Sequence, residues 1–131
     1  MKRQTFESGT PWEPVFGYSR AVRVGQFVYV SGTTATDSEG NIVGVGDPYV
    51  QTEQALKNIK SALERAGALI EEVVRTRVYV TNIDDWEQIA QAHGEVFKGI
   101  KPASAMVEVK RLISPAMLVE IEADAVITSE G

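Results

Sequence analysis

Cysteine is absent from the 131 residues, and histidine occurs once, as His93. The first absence excludes a disulfide framework, thiol catalysis and thiolate-bound zinc or iron–sulfur clusters. The second excludes a multi-histidine metal centre, and a two-histidine nuclease site, within one subunit. Basic charge is also short. Lys plus Arg number 13 against 18 Asp plus Glu, for a net charge of −5. Phosphate contacts dominate nucleic-acid affinity and need a basic footprint, so this balance disfavours a nucleic-acid partner, although a local patch is compatible with it. No run reaches the 18 or so apolar residues of a membrane span. The basic start Met1-Lys2-Arg3 has no apolar stretch behind it of the kind a secretory signal carries. These features together lead to the expectation of a cytoplasmic protein with no membrane partner. Phosphate-loop, dinucleotide, serine-hydrolase and zinc-protease motifs are all missing, and Gly44-Val45-Gly46 is too short to read as more than a turn.

What is present is an ordinary globular composition, 44% hydrophobic and 24% charged, in a length that suits a single domain over residues 1–131. After a loop holding Pro11, Trp12, Pro14 and Gly17, two short β-prone runs, Ser19–Val24 and Phe27–Ser31, flank Gly25-Gln26 as a hairpin would. A turn cluster at 37–41 leads to Ile42–Val45. Asp47 can cap a helix whose first position suits Pro48. Ala55, Leu56, Ile59, Ala62, Leu63 and Ala66 then recur on one face until Gly67 stops it. Val73–Val80 reads as a strand. A second helix follows, with Asp84 and Glu87 spaced as a capping box and Trp86, Ile89, His93, Val96 and Phe97 as its apolar stripe. Strands at Ala105–Arg111 and Leu118–Ile127 complete an α/β layer with two helices on one face of a mixed sheet.

Strand alternation makes that sheet two-faced. Val119, Ile121, Ala123 and Ala125 oppose Glu120, Glu122 and Asp124; Thr76, Val78 and Val80 oppose Arg75, Arg77 and Tyr79. In the penultimate strand, Val107, Val109 and Arg111 are expected on the apolar face, with Met106, Glu108 and Lys110 on the charged one. A charged face suits solvent, and surface ion pairs there are worth little. It suits a subunit interface equally, provided its charges pair to offset desolvation. His93, on an apolar stripe, reads as a satisfied, partly buried side chain rather than a catalytic one.

Gly17-Tyr18-Ser19-Arg20-Ala21 and Val28-Tyr29-Val30-Ser31-Gly32 resemble the opening of the reactive intermediate deaminase family (RidA, also called YjgF). Gln54-Ala55-Leu56-Lys57-Asn58-Ile59, Val78-Tyr79-Val80, Pro102-Ala103 with Val107-Glu108-Val109, and Val119-Glu120-Ile121-Glu122-Ala123 continue the likeness over nearly the whole chain. The resemblance implies a chorismate-mutase-like (RidA/YjgF) fold, a homotrimer with a central barrel, and ligand sites in the clefts between subunits. It implies hydrolysis of enamine or imine intermediates to keto compounds and ammonia, with no cofactor and no metal. By the same resemblance Glu120 is the water-handling catalytic residue, and Tyr18, Ser31, Gly32 and Ser104 are expected to line the small-molecule site with it. The family's carboxylate-gripping arginine normally follows the Pro-Ala pair; here that position is Ser104, which has neither the charge nor the fork of donors. Three readings stay open. The anchor comes from elsewhere, with Arg77 first and Arg75 or Arg20 after it; or the substrate is uncharged or larger; or the chain binds a metabolite or partner without turnover. Ribonuclease activity, sometimes attributed to the family, fits poorly with the acidic charge, the single histidine and the missing arginine.

Overall fold

A computed structural model describes residues 1–128. Six strands form one sheet in the order β1-β2-β3-β6-β4-β5, where β1 is Arg3–Phe6, β2 Ala21–Val24, β3 Phe27–Thr33, β4 Val73–Val80, β5 Ala103–Glu108 and β6 Val119–Val126. All neighbours pair antiparallel except β4 and β5, which are parallel. Helix α1 is Trp12–Phe16, α2 Pro48–Arg65 and α3 Trp86–Phe97. β3 and β4 both run against β6, so α2 is a crossover between parallel strands, as α3 is between β4 and β5. Two such crossovers put both long helices on one face of the sheet, where they pack on each other and α2 also packs on β3 and β6.

The helix that the sequence specifies best forms as expected. Asp47 accepts a hydrogen bond from the Val50 amide, Pro48 takes the first turn, and Ala55, Leu56, Ile59, Ala62 and Leu63 are buried against Val28, Val30, Ile121, Ala123 and Ala125. Gln51 and Thr52 are fully buried in the same helix; Gln51 bonds the carbonyls of Gly44 and Ala116 and the amide of Leu118, tying the loops to the core.

Several expectations need correction. The N-terminal segment is not all loop, because β1 adds an edge strand beside β2 and Trp12–Phe16 makes a helical turn closed by Gly17 at φ 86°. Ile42–Val45 contributes only a single bridge between Ile42 and Thr36. Asp84 and Glu87 form no capping box; instead Asn82 caps a short 3₁₀ turn, Ile83–Asp85, ahead of α3. On α3 itself Ile89, Ala92 and Phe97 are buried, whereas Trp86 and Val96 are exposed. The faces of β5 are the reverse of the expected ones. Met106 pairs with core residue Val78 and packs on the hydrophobic core, while Val107 is exposed on the charged face beside Tyr79. Parallel pairing at the sheet edge sets that register, and β5 stops at Glu108, short of Val109 and Arg111.

Candidate functional site

The register of β3 against β6 slips once. Val30 faces Ala123 and Thr33 faces Ile121, so three steps on β3 match two on β6. The extra residue lies at Ser31-Gly32, a β-bulge of the kind that bends a strand and re-aims its side chains. Ser31 is tied in place: its amide bonds the Arg20 carbonyl and its hydroxyl bonds the carbonyls of Ser19 and Arg20. Gly32 then passes directly under the Glu120 side chain, and a methyl group at Gly32 would overlap the Glu120 carboxylate. Only glycine permits this approach.

Glu120 projects from β6 on the face away from the helices, half buried, with no hydrogen bond or ion pair among the described residues. Burial pushes its carboxyl above the usual range, the Glu122 charge adds to that, and Arg20 opposes it. A carboxyl of this kind binds and releases a proton nearer neutrality than a solvated one.

Beneath the bulge lies Arg20, one of few buried charges. Its Nη1 donates to the Gly32 carbonyl at 2.5 Å and to Thr33 Oγ1 at 3.2 Å, and its Nε donates to Ser8 Oγ at 3.3 Å. Nη2 reaches the Tyr18 hydroxyl at 3.4 Å and lies 3.8 Å from Glu13. Glu13, itself 4% exposed, accepts from the Ser8 amide and hydroxyl and from the Thr10 hydroxyl. Burial works against its charge, but the Ser8 and Thr10 hydrogen bonds and Arg20 together hold its carboxyl below the usual range.

A cavity of about 1270 Å³ opens over this arrangement and is lined by Tyr18, Arg20, Ser31, Gly32, Glu120 and Glu122 among others. Four of the expected site residues, Tyr18, Ser31, Gly32 and Glu120, thus converge. Arg77 lines an adjoining cavity of about 430 Å³ that also touches Tyr18, Ser31 and Glu122. Its guanidinium is engaged, at 3.2 Å from Asp124 and 3.8 Å from Glu122, and Glu122 also accepts from the Tyr79 hydroxyl.

Ser104 does not join this group within one chain. It pairs with Thr76 on the helix side of the sheet, two strands from Glu120, and its Oγ lies 2.5 Å from Thr76 Oγ1. Thr76 Oγ1 lies 2.9 Å from His93 Nε2, and the imidazole leans on the Phe97 ring at 4.6 Å. Burial lowers the His93 pKa, favouring the neutral ring. His93 is therefore a partnered, partly buried side chain. Among the described residues no group of three or more His, Asp or Glu side chains is placed to hold a metal ion, and no helix is long and apolar enough to cross a membrane.

Sequence reasoning underrated Arg20 and missed Glu13. The available signal was an arginine directly before Ala21, at the start of a strand, where a long cation has to find partners on its own face.

A mixed sheet with two crossover helices and a bulged strand end over a carboxylate defines an α/β class, and comparison with known proteins narrows it. The family model described as Endoribonuclease L-PSP matches residues 10–127. The fold matches the crystal structure of Rv2704 from Mycobacterium tuberculosis, a member of the YjgF/YER057c/UK114 family, with a TM-score of 0.88 and 46% identity over 96% of this chain and 100% of that one. A protein of the Rid family from Yersinia pestis matches with a TM-score of 0.85 and 33% identity, over 96% and 100% of the two chains. A RutC family protein of Pyrococcus abyssi is 38% identical over 113 residues, 86% of this chain and 88% of the relative. The chain belongs to the RidA/YjgF family.

Proposed function

We propose that this protein binds a small molecule containing an enamine or imine and hydrolyses it to a keto compound and ammonia. One observation carries the reading: an unpartnered, half-buried Glu120 carboxylate is pressed over a glycine bulge at the wall of a cavity. Carboxylates without partners are costly to keep at such a place. In the proposed reaction an enamine first tautomerises to its imine, which reacts as the protonated iminium; a water adds to the carbon of the C=N bond while Glu120 takes a proton from that water. Glu120 then returns the proton to the nitrogen of the tetrahedral carbinolamine, the C–N bond breaks, and ammonia leaves, taking up the hydroxyl proton as ammonium while the carbonyl forms. Tyr18, Ser31 and Gly32 orient the ligand. No cofactor enters the scheme.

The same reading places the site in a cleft between the subunits of a homotrimer. Its support is the bare face of the sheet, where Phe27, Tyr29, Val74 and Val107 are each 44–48% exposed among charged residues. Burying such a face against further copies removes apolar area from water and brings paired charges together.

The test is the rate of loss of enzymatically generated 2-aminoacrylate or 2-aminocrotonate with a protein that light scattering shows to be a folded trimer. Acceleration is expected, falling about 100-fold or more in Glu120→Gln. No acceleration from a folded trimer overturns the reading. Ser104 in the arginine's place favours a second reading, a ligand-binding member without turnover; ligand-dependent stabilisation with no product would identify it. Ribonuclease activity, which the matched family model's description names, sits poorly with a net charge of −5 and a cavity wall bearing Asp37, Glu39, Glu120 and Glu122.

A further inference from the structure

We infer that Arg20, paired with the Tyr18 hydroxyl, is the anchor for a carboxylate on the ligand of this cavity. The inference rests on the proposed C=N chemistry and names the residue that would hold its substrate.

The guanidinium has five N–H groups and does not use them equally. Nε and Nη1 are spent on Ser8, Gly32 and Thr33. Nη2 carries two hydrogens, and its nearest acceptors are Tyr18 Oη at 3.4 Å and Glu13 Oε2 at 3.8 Å, both long for a charge-assisted bond. Glu13 balances the charge, but its oxygens already accept from Ser8 and Thr10. A rigidly held cation therefore keeps one loosely used edge. That edge belongs to a residue lining the cavity, with Tyr18, Gly32 and Glu120 in the same wall. A ligand carboxylate bridging Nη2 and the Tyr18 hydroxyl would set the adjoining C=N carbon between the anchor and Glu120.

The competing cations fit less well. Arg77 is held by Asp124 and Glu122. Arg65 touches the cavity from the exposed end of α2. Among the described residues, Arg20 is the cation that draws the Glu120 carboxyl down against burial and the Glu122 charge. Glu122 would repel an incoming carboxylate, but Tyr79 and Arg77 hold it.

The probe is the keto-acid product type, 2-oxobutyrate, against its uncharged amide, 2-oxobutanamide, with binding followed by calorimetry. Wild-type protein is expected to prefer the acid by about tenfold or more. Arg20→Gln should erase that preference, and Arg20→Lys should keep part of it. Because Arg20 is buried and its loss could compromise folding, the side-chain ¹⁵N resonances of Arg20 in wild-type protein give a second readout. They should shift with the acid and not with the amide. A preference that survives Arg20→Gln, or that vanishes instead in Arg77→Gln, overturns the assignment. So does a wild type that does not distinguish acid from amide. Hydrolysis of 2-aminocrotonate by that same wild type separates the two failures: turnover without acid preference sinks the anchor alone, and the absence of both sinks the chemistry as well.

Discussion

Glu13 and Glu120 are two carboxylates that both feel the charge of Arg20, and their surroundings differ in almost every respect. Glu13 is 4% exposed, accepts three hydrogen bonds from Ser8 and Thr10, and faces Arg20. Glu120 is half buried, has no such bond, and stands over a bulge beside an open cavity. Burial disfavours the charge of both. At Glu13 the hydrogen bonds outweigh it and the carboxyl is held low; at Glu120 nothing but Arg20 opposes it and the carboxyl is held high. A satisfied buried acid is part of the structure, whereas an unsatisfied one needs an occupant to justify it.

The sharpest way to break that comparison is Glu13→Ala. It leaves Arg20 as a buried cation without its counter-charge and frees Ser8 and Thr10, so urea unfolding should show a loss of about 3 kcal/mol. A loss below about 1 kcal/mol would mean that the network contributes little, and that the contrast between the two acids is only one of position. Gly32→Ala acts on the other pole. The overlapping atoms, Oε2 and Cδ of Glu120, are the end of a flexible side chain, so Glu120 can swing aside and the fold should survive with a change of about 1 kcal/mol or less. Turnover of 2-aminocrotonate should nonetheless fall about tenfold, because a base displaced by an ångström loses its alignment. Equal activity in Gly32→Ala would show that the bulge does not position the carboxylate.

Much of this arrangement was legible in the chain because it rests on local pattern. The α2 stripe and the alternation of β4 and β6 depend on side-chain period alone, and they placed Glu120, Glu122 and Asp124 on the face away from the helices. What escaped depends on register and pairing between distant segments. The reversed faces of β5 follow from its parallel pairing with β4, which no alternation within Ala103–Glu108 could reveal. The bulge at Ser31-Gly32 appears only when β3 is laid against β6, ninety residues later. For the same reason Ser104 sits with Thr76 and His93 rather than with Glu120 in one chain, and Arg20 finds its acid in a helical turn that read as loop.

The smallest effect expected is the most discriminating, because the two acids should respond to pH with opposite sign. The folded Glu120 carboxyl holds its proton more tightly than the unfolded one, whose pKa is near 4.5. Between those two values the folded state binds more protons, so this residue's contribution to stability falls as pH rises through the window and stays unfavourable above it. Glu13 does the reverse: its contribution is present above the unfolded pKa and is lost as pH falls through the folded one. Glutamine at position 120 keeps the shape and removes the titration. Glu120→Gln should therefore raise Tm by about 2 °C at pH 7, and the gain should shrink toward zero as the pH drops below the unfolded value and the wild type becomes protonated. That same variant is expected to lose turnover, a gain in stability bought with function. A Tm that falls at pH 7, or a gain independent of pH, would mean that Glu120 has a stabilising partner after all and belongs with Glu13.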